Sequence, residues 1–262
     1  FILIVYRRCP KVMLPIHLII LVLVLFIKYP VMRVYDIPQA DFVESLSIPV
    51  QQIARVISNG EPLTESQEEF AANIMDLSQV SAVYQPDVSD NIKNLIRQTG
   101  NHYLESHKGA FLKTWLSIGA KHPGTYFDAY VAQTNGYWYP DISYKVGLAD
   151  GIYPNEFGLR WQPVIKGTTL TKIKEILFKL PELIPLYGLF WSMGFLLWLI
   201  LLIGALCLRS GNTANALICL PFIFLMLTLC IAAPVATEFR YTYAVFYALP
   251  ILIMSPFVRG KN

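Results

Sequence analysis

The sequence predicts an all-α integral membrane protein with about four transmembrane helices and a helical extracytoplasmic domain inserted between the first and second. Three observations predict it. The chain has 262 residues, of which 55% are hydrophobic and only 15% charged, whereas a soluble domain carries about a quarter charged residues. The charges are segregated: residues 30–184 hold 17 Asp/Glu and 13 Lys/Arg, and the remainder holds 8 Lys/Arg and one carboxylate, Glu238. Four apolar runs reach or approach the roughly 20 residues that a spanning helix needs. A soluble cytosolic enzyme is excluded on these grounds. The basic pI of about 8.6 does not indicate nucleic acid, because the excess positive charge flanks apolar runs.

In chain order, residues 1–29 read as the end of a preceding span plus the first transmembrane helix. Phe1 to Tyr6 is apolar and the chain begins with Phe, as expected of a fragment of a longer protein. The run 12–29 crosses Lys28, whose long side chain can reach the interface. Residues 30–185 read as the outer domain. Ser47-Ile48-Pro49 starts a helix with Val50, Ile53, Ala54 and Ile57 on one face, ended by Asn59-Gly60. Thr64 with Gln67 and Glu68 resembles a capping box ahead of Phe70, Ile74 and Leu77. Asp87 or an exposed Ser89 caps a short helix through Ile92, Leu95 and Ile96. One helix is expected over 102–121, with Phe111, Trp115 and Ile118 on one face, and another after His122-Pro123-Gly124. Residues 171–184 form an amphipathic pattern suited to an interfacial helix. Residues 186–262 then supply three spans, over 186–208, 214–237 and 241–258.

Orientation follows from the short connections, since long loops do not count toward the positive-inside bias. Arg7, Arg8, Lys11, Arg209, Arg259 and Lys261 fall on one side, leaving Lys28 and Arg240 on the other. The expected arrangement is a multi-pass bacterial cell-membrane protein with residues 30–185 outside and the C-terminus in the cytoplasm. The outer segment has no cysteine and no Asn-x-Ser/Thr acceptor, which favours a bacterial over a eukaryotic secretory setting.

Candidate chemistry is sparse. His102, Glu105 and His107 lack the i, i+4 spacing that puts two imidazoles on one helix face, so no metal site and no cofactor are predicted. Asp36, Asp41 and Glu44 read as solvated carboxylates. Tyr137, Trp138 and Tyr139 with Asp141 form an aromatic loop that anchors at the headgroup level, simply packs, or stacks on a glycan. Gln51, Gln52 and Arg55 can share one polar helix face, either solvated or in contact with a glycan. Glu238-Phe239-Arg240-Tyr241 joins the last two spans. Charges at a membrane boundary are costly unless paired or used, and a guanidinium fork suits phosphate. The segment reads either as a pinning Glu–Arg pair or as a lipid-phosphate site in which Glu238 and Tyr241 orient Arg240.

Arg240-Tyr241 followed by an apolar span with Pro250 resembles the last helices of multi-pass GT-C-type glycosyltransferases. Residues 40–258, through Ser47-Ile48-Pro49-Val50-Gln51-Gln52, Lys121-His122-Pro123-Gly124 and Gly136-Tyr137-Trp138-Tyr139-Pro140, are similar to the C-terminal region of large uncharacterised membrane proteins of Gram-positive bacteria. The first resemblance implies a polyprenyl-phosphate sugar donor, a cell-envelope glycan acceptor, and a catalytic acid in an earlier outer loop outside this fragment. The alternatives are a non-enzymatic membrane protein whose outer domain binds envelope polymer or a partner protein, and a transporter. The transporter ranks last, because transport sites need polar residues near mid-membrane.

Overall fold

The computed structural model describes residues 10–37, 40–143, 152, 155–160, 162, 164, 167–184, 186–232 and 239–258. Among these the architecture is all-helical, and the one β-type contact is an isolated bridge between Gln85 and Val88.

Helix α1 (Pro10–Phe26) continues through a π turn (Ile27–Val31) to Val34. Pro30 accounts for the π turn, since proline has no N–H to donate and its ring crowds the carbonyl four residues back. The stretch Leu14–Val34 is long and apolar enough to cross a membrane, and none of its residues is buried against the rest of the protein.

A 3₁₀ turn (Phe42–Leu46) leads into a helical domain, built from α2 (Ser47–Ser58), α3 (Glu65–Ile74), α4 (Leu77–Val83), α5 (Asp90–Thr99), α6 (Asn101–Ser106), α7 (Lys108–Lys121) and α8 (Pro123–Thr134). Its core joins Val50, Ile53 and Ala54 of α2 to Phe70 and Ile74, Ile92 and Ile96, Leu104, Phe111, Ile118 and Tyr126. Each fully buried Ile or Phe contributes roughly 1.5–3 kcal/mol. Helix α2 is the central strut, contacting α4, α5, α7 and α8.

Two boundaries differ from the sequence expectation. Leu77 does not continue the Phe70–Ile74 helix: Met75 is extended, and Asp76 caps a new helix by accepting from the Ser78 amide at 3.0 Å. The helix expected over 102–121 breaks at His107. There Ser106 Oγ donates to the His102 carbonyl, and His107 Nδ1 meets the Tyr103 carbonyl at 2.9 Å, side-chain bonds of the kind that compete with helix continuation. The Thr64–Gln67 capping box forms, and Ser89, expected to be exposed, is wholly buried.

Asp41 and Glu44 are not simply solvated. Arg97 of α5 binds Asp41 at 2.8 Å and also Glu44, while Lys93, whose side chain is 6% exposed, binds Glu44 at 3.1 Å and Asp90 at 3.3 Å. This network ties the segment after α1 to the domain. The Arg97 hydrogen bonds hold the Asp41 carboxyl below its ordinary range, and Lys93 does the same for Glu44. A depressed carboxylate stabilises the fold above its unfolded pKa of about 4 and loses that contribution as pH falls through the folded value. The stability of this domain should therefore be flat from neutral pH to about pH 5 and fall below about pH 4. Thermal unfolding against pH checks this, and in Arg97→Met the acid-side decline should be shallower. An equally steep decline in Arg97→Met would remove the network from the account.

Helix α9 (Thr168–Leu183) is amphipathic, and its Ile176, Phe178 and Leu183 stay exposed. A 3₁₀ turn (Tyr187–Trp191) precedes α10 (Met193–Arg209), capped by Ser192 Oγ accepting from the Phe195 amide. The uncharged run 186–208 is thus divided into an aromatic turn and a shorter helix than expected. Helix α11 (Thr213–Ala232) is long and apolar enough to cross a membrane, whereas the apolar stretches Met193–Arg209 and Phe239–Met254 are shorter. The last stretch is a 3₁₀ turn (Phe239–Thr242) followed by α12 (Tyr243–Met254). Leu196, Ile200, Ile203 and Cys207 of α10 pack with Met226 and Leu229 of α11 and Val245, Leu249 and Leu252 of α12. Beyond the end of α12, the Asn212 and Asn215 amides donate to the Ser255 and Val258 carbonyls, which would otherwise lack helical partners.

Candidate functional site

The sequence places its candidate residues in three groups, and the fold separates them. Gln51 and Gln52 are buried, at 0% and 8% exposure, so neither forms a solvated face nor meets a glycan. Gln52 sits in a polar ring inside the core: Trp115 Nε1 donates to its Oε1 at 2.8 Å, its Nε2 donates to the Tyr126 carbonyl at 3.1 Å, and Tyr126 Oη donates back to the Trp115 carbonyl at 2.9 Å. Buried amides need such partners. Gln51 Nε2 donates to the Gln85 carbonyl at 2.6 Å. Arg55 is half-buried, and its positive charge opposes the burial that pushes the Tyr84 phenol up.

The aromatic loop divides between packing and exposure. Tyr137 is wholly buried among Met193, Leu196, Phe239 and their neighbours in the α10–α12 bundle, which removes it from glycan contact. Burial of a whole aromatic ring is worth more inside a core than at a wet surface. Trp138 and Tyr139 remain 38% and 49% exposed, and Asp141 is exposed. Their backbone is clamped to α10: Trp198 Nε1 donates to the Trp138 carbonyl at 2.8 Å, and the Tyr139 backbone lies so close to Gly194 that a Cβ there would come within 2.5 Å of it. This is the joint between the 42–134 domain and the bundle.

The third group gathers at the same end. Phe239, 2% exposed, anchors the turn before α12 against Trp191 at 5.2 Å, Tyr243 at 5.6 Å and Phe246 at 5.8 Å. With Phe239 turned inward, Arg240 is exposed, and its guanidinium lies 5.1 Å from the centre of the Tyr241 ring. Such stacking engages the face of a guanidinium and orients its planar fork. Glu238 lies outside the described residues. Trp191, Phe246 and Gly194 also build this end of the bundle. The aromatic run Tyr187-Gly188-Leu189-Phe190-Trp191 was the available signal for the first, and nothing local marks Gly194.

Among the described residues no group of three or more His, Cys, Asp and Glu is placed to hold a metal ion. Fold and site together define an all-α protein whose helices include two of membrane-spanning length and composition, with a basic-aromatic turn at one end of the bundle. The chain belongs to the family of unknown function DUF6020, whose sequence model matches residues 1–261. No curated protein and no solved structure matches the chain.

Proposed function

We propose that this chain is the C-terminal part of a bacterial membrane glycosyltransferase of GT-C type, taking its sugar from a polyprenyl-phosphate carrier for synthesis or modification of a cell-envelope glycan. In this reading α1, α10, α11 and α12 cross the cell membrane, residues 30–185 lie outside, and the C-terminus is cytoplasmic. Helix α10 alone spans about 26 Å, and its aromatic 3₁₀ turn adds about 10 Å, enough for a hydrocarbon core of about 30 Å. The exposed apolar side chains of α9 suit a helix lying in the headgroup region.

One observation carries the reading: Arg240 stands on the Tyr241 ring at the bundle end where Trp191, Tyr243 and Tyr247 form an aromatic collar. Aromatic belts mark the membrane–water boundary, and a guanidinium there is suited to a lipid phosphate in two-pronged fashion. The catalytic acid, in this reading, comes from an earlier outer loop.

Polyprenyl phosphate binding to the chain in detergent, followed by native mass spectrometry, tests the site. Arg240→Lys keeps the charge but loses the fork, and should weaken binding about tenfold. Unchanged binding in both Arg240→Lys and Arg240→Ala would overturn the phosphate role. Failure of both to accumulate in the membrane would make Arg240 structural. Orientation is tested separately by Lys113→Cys, at an exposed position of α7. It should react with an impermeant maleimide in intact cells, and reaction only after permeabilisation would reverse the topology.

A further inference from the structure

Helix α5 sorts its side chains onto three faces. Ile92 and Ile96 enter the core. Lys93 and Arg97 turn to the carboxylates of residues 41–44 and to Asp90. Asn91, Asn94 and Gln98, at i, i+3 and i+7, form the third face, with Leu95, a buried core residue, beneath them. Opposite it stand Gln79, Ala82 and Val83 of α4 and Gln85 of the following turn, and together these eight residues line a cleft of about 400 Å³. That volume lies within the range of small-ligand sites. Five carboxamides line it, and no lining residue is charged.

Internal hydrogen bonds hold three of them. Asn91 Nδ2 donates to the Val83 carbonyl at 3.1 Å, which leaves its oxygen and one N–H for other partners. Gln79 Nε2 donates to Asp76 at 2.6 Å, which likewise leaves an oxygen and one N–H. Asn94 Oδ1 accepts from Arg97 at 3.0 Å, which leaves its NH₂ and one lone pair. The Gln85 and Gln98 side chains are exposed and make no hydrogen bond among the described residues. The charged neighbours are occupied: Asp76 caps α4, and Arg97 is held by Asp41 and Glu44.

We propose that the α4–α5 cleft binds a neutral, hydroxyl-rich glycan. A sugar hydroxyl both donates and accepts, so vicinal hydroxyls match a wall of five amides that each keep donor and acceptor capacity. The C–H face of a sugar ring fits the apolar side chains of Val83 and Ala82. A charged ligand would find no countercharge in the lining and would lose hydration without compensation. Oriented amides also lower the ordering cost of binding. The site is independent of the phosphate role of Arg240 and stands or falls without it.

The test is calorimetric titration of the full chain in lipid nanodiscs with N-acetylglucosamine tetrasaccharide, cellotetraose and maltotetraose. Tetragalacturonate serves as the anionic counterpart, and an uncharged extended heptapeptide as the alternative occupant. Saturable binding of at least one neutral tetrasaccharide is expected, about tenfold weaker in the Asn94→Ala/Gln98→Ala double variant and unchanged in Lys113→Ala. Should loss of the Arg97–Asn94 bond unsettle the double variant, Gln98→Ala alone, at an exposed position without a partner, still must weaken binding about threefold or more. Absence of binding by all three neutral sugars overturns the proposal. So does undiminished binding in the variants, or tighter binding of tetragalacturonate or of the peptide.

Discussion

Tyr137→Ala should lower the stability of the whole chain by about 3–5 kcal/mol, the usual cost of emptying a large buried aromatic site. Tyr137 is fully buried, and it follows the last helix of the 42–134 domain while its surroundings come from α10 and α11. The ring is the part of the domain that enters the bundle, so its loss should separate the two. Thermal unfolding in detergent should then resolve into two transitions in place of one. Trp138→Ala, at a neighbour that is 38% exposed, is the comparison and should shift the midpoint little. A single undivided transition in Tyr137→Ala, lowered no more than in Trp138→Ala, would show that the joint does not depend on this ring.

Gly100→Ala is the second large effect. Gly100 lies between α5 and α6, and a Cβ there would come within 2.4 Å of both the Asn73 carbonyl oxygen and the Ile74 Cα. Both are backbone atoms of α3, so no side-chain rotation relieves the overlap. The helices must move apart, at a cost of about 3 kcal/mol. Gly109→Ala is the internal control: a Cβ there meets nothing within 4 Å, and in a helix the change should add about 0.5 kcal/mol. Denaturant unfolding followed by helical circular dichroism should show opposite signs for the two substitutions. Equal tolerance of both would refute the close approach of α3 to Gly100.

Much of the fold was legible from local pattern. Apolar periodicity located α2, α5 and α9, and the Thr64–Gln67 pair announced the start of α3, because capping and amphipathicity are properties of residues within one or two turns. Breaks were harder to read where a side chain rather than a glycine or proline ends the helix. His107 is the case in point: Ser106 and His107 bond back to carbonyls four residues earlier, an outcome that composition does not announce. The candidate site was partly legible. Arg240 was selected from its isolation among apolar residues, and the fold sets it on the Tyr241 ring.

The sequence by itself determined the helical class, the segregation of apolar and charged segments, and the position of the basic-aromatic turn. Each depends on hydropathy and on spacing within a single segment. Tertiary structure alone decided which polar residues are buried. Gln51 and Gln52 carry the same pattern as a solvated face, and only the arrival of Trp115, Tyr126 and Gln85 from distant segments makes them interior hydrogen-bonding groups. It also decided that Tyr137 packs inward while Trp138 and Tyr139 stay outside, and that the carboxamides of α4 and α5 face one cleft. Burial is a property of pairs of segments, and one segment does not encode its partner.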